Sequence, residues 1–264
     1  MMQFSLLEQI ALAIFLLSGI SFFLYHLLLR LKIVLKGKSD FSIDQLPKRI
    51  VRVFDEVILH KKVASGKRKS AGILHALVMY GFIFFGLITI NHFGMAFGLP
   101  IFSDSIRHSY FLFFGAPWAI LCSIGILGLA YRRFVIKPEA LGKFSSTSAI
   151  VSVFIVTLMV TYLIDEFHIL SGTAEKFNWW LHSGVIGGFL FLIPQSKHMH
   201  LVLSPFNIFL RPFEVPSHGA IPIDMEASEE ELDNLLLDLS RLSKDQALDI
   251  FTCVECGRCT DVCP

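Results

Sequence analysis

Five apolar runs of about 20 residues dominate this sequence, each long enough to cross roughly 30 Å of hydrocarbon as an α-helix. They cover approximately residues 10–29, 71–90, 110–131, 145–164 and 177–194. Lipid offers no partners to backbone N–H and C=O groups, so such runs must satisfy them internally, and unbroken runs do so as helices. With 54% hydrophobic and 17% charged residues and a mean hydropathy of +0.63, the chain is more apolar than an ordinary soluble domain. The first run is expected to be retained rather than cleaved, because its leader carries Glu8 and no basic residue and lacks a small-residue cleavage site.

The basic residues orient the bundle. Twelve of the 23 Lys and Arg lie between Arg30 and Lys69, four follow the third run (Arg132, Arg133, Lys137, Lys143), and five follow the fifth. Only Arg107 and Lys176 lie elsewhere. Basic residues stay cytoplasmic in short loops, so the amino terminus is expected outside and the carboxyl terminus inside a cell inner membrane. The formal net charge of +1 gives no reason to expect nucleic acid, and the basic loop suits anionic lipid. In that loop Leu46, Ile50, Phe54, Val57 and Ile58 recur at helical spacing among Lys48, Arg49, Arg52, Lys61 and Lys62. This pattern reads as a helix on the inner surface, or otherwise as a solvated charged loop.

Pro205, Pro212, Pro216 and Pro222 punctuate the stretch after the fifth run, which is read as a connector. The domain expectation is a five-helix membrane unit over 1–203, a connector over 204–223, and cytoplasmic helices with the first half of a 4Fe-4S ferredoxin-like domain over 224–264. Ser228 with Glu231 and Ser243 with Gln246 have capping-box spacing, and Leu232, Leu235, Leu236, Leu239 and Leu242 form one stripe. Cys122, alone in the third run, is read as packing.

Cys253, Cys256 and Cys259 are spaced by two residues, letting one loop wrap three corners of an iron-sulfur cube, and Cys263 follows before Pro264. Zinc is the competitor, but zinc ribbons usually separate two CysX2Cys knuckles by a dozen or more residues. In two-cluster ferredoxins the fourth cysteine of such a run serves the other cluster, and no second run is present. A fragment of a longer protein is therefore the expectation, with a partner that completes the fold as the alternative.

Ionisable side chains inside apolar helices are functional candidates. His75 and His92 sit near opposite ends of the second run. His182 sits near one end of the fifth, and His198 and His200 follow its other end. Antiparallel packing brings His75 to the depth of His198 or His200, and His92 to the depth of His182. Each pair could hold one haem. Eighteen residues is five helical turns, so His200 shares a face with His182 if the helix is continuous, although Pro194 interrupts it. Single histidines could equally snorkel or bond a neighbouring helix. Asp165, Glu166 and His168 could relay protons to a quinone or be solvated loop charges. Lys197 and Arg211 could pair with haem propionates or mark a boundary.

Trp179-Trp180-Leu181-His182, Pro194-Gln195-Ser196-Lys197-His198-Met199-His200, Pro205-Phe206-Asn207, His75 with Tyr80-Gly81-Phe82, and Cys253-Val254-Glu255-Cys256-Gly257-Arg258-Cys259 together resemble a known family. It is that of the heterodisulfide-reductase-related membrane iron-sulfur oxidoreductases, whose cytochrome b domain is similar to the haem subunit of respiratory nitrate reductase. The resemblance implies an all-α membrane protein, a five-helix cytochrome b-like bundle followed by the start of a ferredoxin-like 4Fe-4S domain. It further implies electron transfer between cytoplasmic iron-sulfur clusters and menaquinone or another quinone through one or two b haems, with electron-transfer flavoprotein or another dehydrogenase as partner. Family members usually continue with a second cysteine run and cysteine-rich domains, so this stretch is expected to be the membrane part of a quinone-linked oxidoreductase and catalytically incomplete. The alternative is a non-haem membrane anchor or assembly protein whose cysteine metal site docks a soluble partner.

Overall fold

The computed structural model describes residues 3–38, 43–213 and 242–257. Helix α1, Leu6–Val34, opens on a reciprocal cap: the Ser5 amide donates to Glu8 Oε2 at 2.8 Å and the Glu8 amide to Ser5 Oγ at 3.4 Å. There follow α2 (Leu46–Val53, prolonged by a π turn over Phe54–Ile58), α3 (Lys69–Ala96), α4 (Asp104–Tyr110) and α5 (Ala116–Tyr131). A second π turn, Phe111–Gly115, joins α4 to α5, and a third, Arg132–Ile136, extends α5. Then come α6 (Ser146–Glu166), α7 (Thr173–Leu192), α8 (His200–Leu210) and α9 (Lys244–Thr252). No strand occurs among the described residues, which hold one isolated bridge between Lys38 and Ser243.

Four helical stretches are long and apolar enough to cross a membrane: Leu6–Val34, Gly66–Ala96, Asp104–Ile136 and Ser146–Glu166. They leave apolar bands such as Ile14, Leu17, Leu87, Leu127 and Val153 outside any core, as a helix in a hydrocarbon solvent does. The fifth apolar run also folds as a helix, α7, but is not among the four. Glu175, Lys176, Asn178, His182 and Ser183 lower its apolar character. The structure thus supports four spans where the sequence reading expects five.

The chain divides into two compact units. The first comprises Met1–Ser21, Lys62–Phe191 and Gly257–Pro264. Small residues bring its helices together: a Cβ on Gly81 of α3 would lie 2.9 Å from Cys122 Sγ of α5, and one on Gly125 would lie 2.7 Å from the Leu74 carbonyl oxygen. Cys122 is buried there with Phe111, Ala119, Met159 and Tyr162, in the packing role read from the sequence. A second cluster joins Leu12, Ala96 and Trp179, beside which Gln9 donates to the Ala96 carbonyl at 2.9 Å. Lys176 pairs with Glu8 at 2.7 Å, tying the start of α7 to that of α1.

The second unit comprises Phe22–Lys61 and Leu192–Cys256. Its core is Val34, Met199, Leu203, Ala247 and Leu248. The capping box of Ser243 with Gln246 starts α9 as the spacing predicts. The loop alternative for the basic stretch gives way to helix α2, whose Leu46, Ile50, Phe54 and Ile58 are exposed. Arg49 turns inward instead and is 1% exposed. It donates to the carbonyls of Phe209 at 2.8 Å and Arg211 at 3.2 Å and to Asp44 Oδ1 at 2.7 Å, a cation closing the C-terminal end of α8. Pro205, read as the first break of a connector, lies inside α8. Pro216, Pro222, the Ser228–Glu231 box and the leucine stripe up to Leu239 lie outside the described residues.

Candidate functional site: two histidine clusters and a cysteine loop

In the second unit the chain leaves α7 at Leu192 and makes two 3-10 turns, Ile193–Gln195 and Lys197–Met199, before α8 begins at His200. Ser196 between them is extended (φ −132°, ψ 170°), so the helical phase is reset. The five-turn relation between His182 and His200 therefore does not hold. His200 Nδ1 lies 2.9 Å from the Lys197 carbonyl, which can only accept. The ring therefore donates from Nδ1 and carries its lone pair on Nε2, the arrangement usual in a metal-binding histidine. His198 Nδ1 lies 3.2 Å from the Ser196 hydroxyl, which gives its proton to the Ile193 carbonyl at 3.2 Å and so accepts from Nδ1, leaving the lone pair of this ring on Nε2 as well. The two rings are 6.2 Å apart.

The cysteine loop is anchored to this stretch within the same unit. Cys253 ends α9 and is exposed, while Cys256 is half-buried. Glu255 between them takes a left-handed conformation (φ 53°), as does Gly257 (φ 70°), bending the backbone as a loop wrapping a small cluster must. Lys197 reaches Glu255 at 3.4 Å, and Asn207 of α8 donates to Asp249 Oδ1 at 2.7 Å and to Thr252 Oγ1 at 2.9 Å. Lys197 and Arg211, read as possible propionate partners, are instead paired with Glu255 and Glu56. Cys259 and Cys263 lie outside the described residues, among which no group of three or more His, Cys, Asp and Glu could hold a metal.

In the first unit α3 and α7 bring His92 and His182 together, with ring centroids 5.0 Å apart. Thr161 of α6 gives its hydroxyl proton to the Thr157 carbonyl at 2.6 Å and accepts from His182 Nδ1 at 2.7 Å. That chain also leaves the His182 lone pair on Nε2. His92 stacks on Trp179 (4.7 Å, 15°) and spends its Nε2 on the Ser183 hydroxyl at 2.9 Å. His182 is thus set as a metal-binding histidine would be. Ligation by both rings, with each nitrogen about 2 Å from the metal, requires the His92–Ser183 bond to open and the rings to separate. The pair borders a cavity of about 270 Å³ whose wall includes Arg107, Tyr162, Asp165 and Glu166. His75, half-buried in α3, belongs to the first unit, whereas His198 and His200 belong to the second. The hydroxyl partners Thr161 and Ser183 were not legible beforehand, although Ser183 adjoins His182 in sequence.

No protein-family model matches the chain, and no solved structure matches it. It is similar to two curated oxidoreductases. Identity is 29% over 272 residues with the probable iron-sulfur-binding oxidoreductase FadF of Bacillus subtilis (strain 168), covering 92% of this chain and 38% of that protein. It is 23% over 298 residues with the EtfAB:quinone oxidoreductase of Syntrophomonas wolfei, covering 95% of this chain and 40% of that protein. The chain thus spans about two-fifths of the length of these relatives. The likeness supports a relation to iron-sulfur oxidoreductases.

Proposed function

We propose that this chain is the membrane part of a quinone-linked iron-sulfur oxidoreductase. It exchanges electrons between a 4Fe-4S cluster at Cys253, Cys256, Cys259 and Cys263 and the quinone pool. The observation that carries the reading is the tether within the second unit: the loop bearing Cys253 and Cys256 is joined through Glu255 to Lys197, three residues before His200. A redox centre on the loop and one on His200 would then be held by the same small core. The names of the two relatives, one iron-sulfur-binding and one quinone-reactive, support the two ends of the route.

Haem b is the second cofactor in this reading, supplying a one-electron carrier in the membrane. His75, His200 and, as the lesser candidate, His198 are proposed haem ligands, and His92 and His182 would hold a haem between them. The donor set fits to this extent: His182 and His200 each present Nε2 because a neighbour accepts from Nδ1. In this reading α7 is a fifth span, the amino terminus is outside and the carboxyl terminus cytoplasmic, and helix α2 rests on membrane lipid. Menaquinone or another quinone and a cytoplasmic donor such as electron-transfer flavoprotein are the partners.

The test is a reduced-minus-oxidised absorption spectrum of the chain purified from membranes, followed by electron paramagnetic resonance of the reduced protein. A b-type band and a reduced 4Fe-4S signal are expected. Absence of the band in haem-sufficient membranes removes the cytochrome part, and a zinc-loaded, signal-free protein favours the anchor reading.

A further inference from the structure

Helix α2 is polarised the wrong way round for a helix in water. A surface helix ordinarily turns its apolar stripe to the core and its charges to solvent. In α2 and the π turn that prolongs it, the charged side is turned in. Arg49 is buried on the carbonyls of Phe209 and Arg211, and Arg52 donates to the same Arg211 carbonyl with its guanidinium 3.7 Å from the centre of the Phe213 ring. Glu56 pairs with Arg211 at 2.6 Å. Leu46, Ile50, Phe54 and Ile58, four residues apart along the opposite side, and Val51 beside them are 37–58% exposed. Turning charges inward costs desolvation, which a helix in water avoids by rotating about its axis. The reversal therefore points to an apolar medium on the outer side.

The position of α2 within the second unit says which medium. The arginine bonds fix it to the C-terminal end of α8, and Leu203 of α8 packs on Val34, the last residue of α1. Since α1 is long and apolar enough to span a membrane, α2 lies near the end at which that span leaves the hydrocarbon. It is itself far shorter than the roughly 20 residues a crossing needs, so it lies along the surface. The charge around it fits the same medium. Between Arg30 and Lys61 eight Lys and Arg stand against four Asp and Glu, and Lys32, Lys36, Lys38, Lys48 and Lys61 are all exposed. Exposed lysines around an apolar face suit lipid phosphates, whereas the contact surfaces of soluble proteins are depleted in lysine.

We propose that the Leu46–Ile58 face of α2 is seated in an anionic phospholipid surface, with Ile50 and Phe54 among the acyl chains and Lys48, three positions before Val51, at the headgroup phosphates. The assignment rests on the membrane reading above and adds which face enters and which lipid chemistry it takes. Arg49, Arg52 and Glu56 are then the join through which this seat holds α8, and with it the unit that carries Cys253 and Cys256, at the membrane surface.

The experiment places the full chain in nanodiscs of phosphatidylglycerol and phosphatidylcholine. Illumination of Phe54→p-benzoylphenylalanine should give phospholipid adducts by mass spectrometry. In equimolar discs phosphatidylglycerol should be labelled about fivefold more, the ratio for about 1 kcal/mol per basic residue near an anionic surface, and the ratio should fall toward one in Lys48→Gln. Hydrogen exchange over residues 46–58 of the unaltered chain should be about fivefold slower in phosphatidylglycerol discs than in phosphatidylcholine discs. Adducts confined to protein, whether a second copy, a soluble partner or another stretch of this chain, would overturn the lipid seat and leave the electron-transfer reading intact. Equal labelling of both lipids with unchanged exchange would also overturn it. Failure of the unaltered chain to enter discs of either lipid would overturn the membrane reading itself.

Discussion

The two histidine clusters fix their rings by different means. His182 sits inside an unbroken helix and is oriented by a hydroxyl from another helix, Thr161, itself held by the Thr157 carbonyl. His200 sits where the helix has been broken and restarted, and is oriented by the backbone of its own turn, the Lys197 carbonyl. Both routes leave the lone pair on Nε2. The first needs a side chain 21 residues away, and the second needs only a local bend, so the two sites should respond differently to substitution.

The largest effect should separate the paired candidates. Haem content per chain, measured as pyridine haemochrome, is expected to fall by about one haem in His200→Ala and to stay near the unaltered level in His198→Ala. The reverse result would make His198 the ligand. Arg49→Leu comes next. Removing a buried cation that serves three carbonyls and a carboxylate should destabilise the second unit by about 2–4 kcal/mol. Faster thiol labelling of Cys253 and Cys256, with the Cys122 rate unchanged, would confine the damage to that unit.

Thr161→Val tests the orienting hydroxyl alone. It should weaken haem retention at His182 by about 10–100-fold, read as haem loss to apomyoglobin, whereas substitutions that keep the Lys197 backbone should not affect His200. Glu255→Gln removes an exposed ion pair and should change thermal stability by less than about 1 kcal/mol while slowing electron transfer from cluster to haem. The smallest effect is a pH dependence at His60, whose Nδ1 lies 2.6 Å from the Val57 carbonyl. Burial holds the imidazole below its ordinary value, outweighing that contact, so the fold favours the neutral ring. This contribution is present above about pH 6.5 and is lost as pH falls below it, and His60→Gln should flatten the melting-temperature profile there.

Much of the helical framework was legible because hydrophobic period and length are local properties. The capping box of Ser243 with Gln246 and the packing of Cys122 were read correctly for the same reason. α7 is not among the four helices apolar enough to span a membrane, because Glu175, Lys176 and Asn178 at its start lower its hydropathy. Pro205 was misread because a proline can be carried inside a helix when neighbouring contacts hold it, here the packing of Leu203 and the bonds of Asn207. The phase argument for His200 failed at Ser196, whose extended backbone no helical period foresees.

The sequence by itself determined where helices run, where charge gathers, and that four thiols stand at iron-sulfur spacing, since each follows from residues a few positions apart. Tertiary structure alone decided which nitrogen of His182 is presented, that Arg49 turns inward, and that Arg107 and Tyr162 meet Glu166 at one cavity. Those outcomes depend on hydrogen bonds and packing between residues distant in the chain, whose partners only the folded arrangement selects.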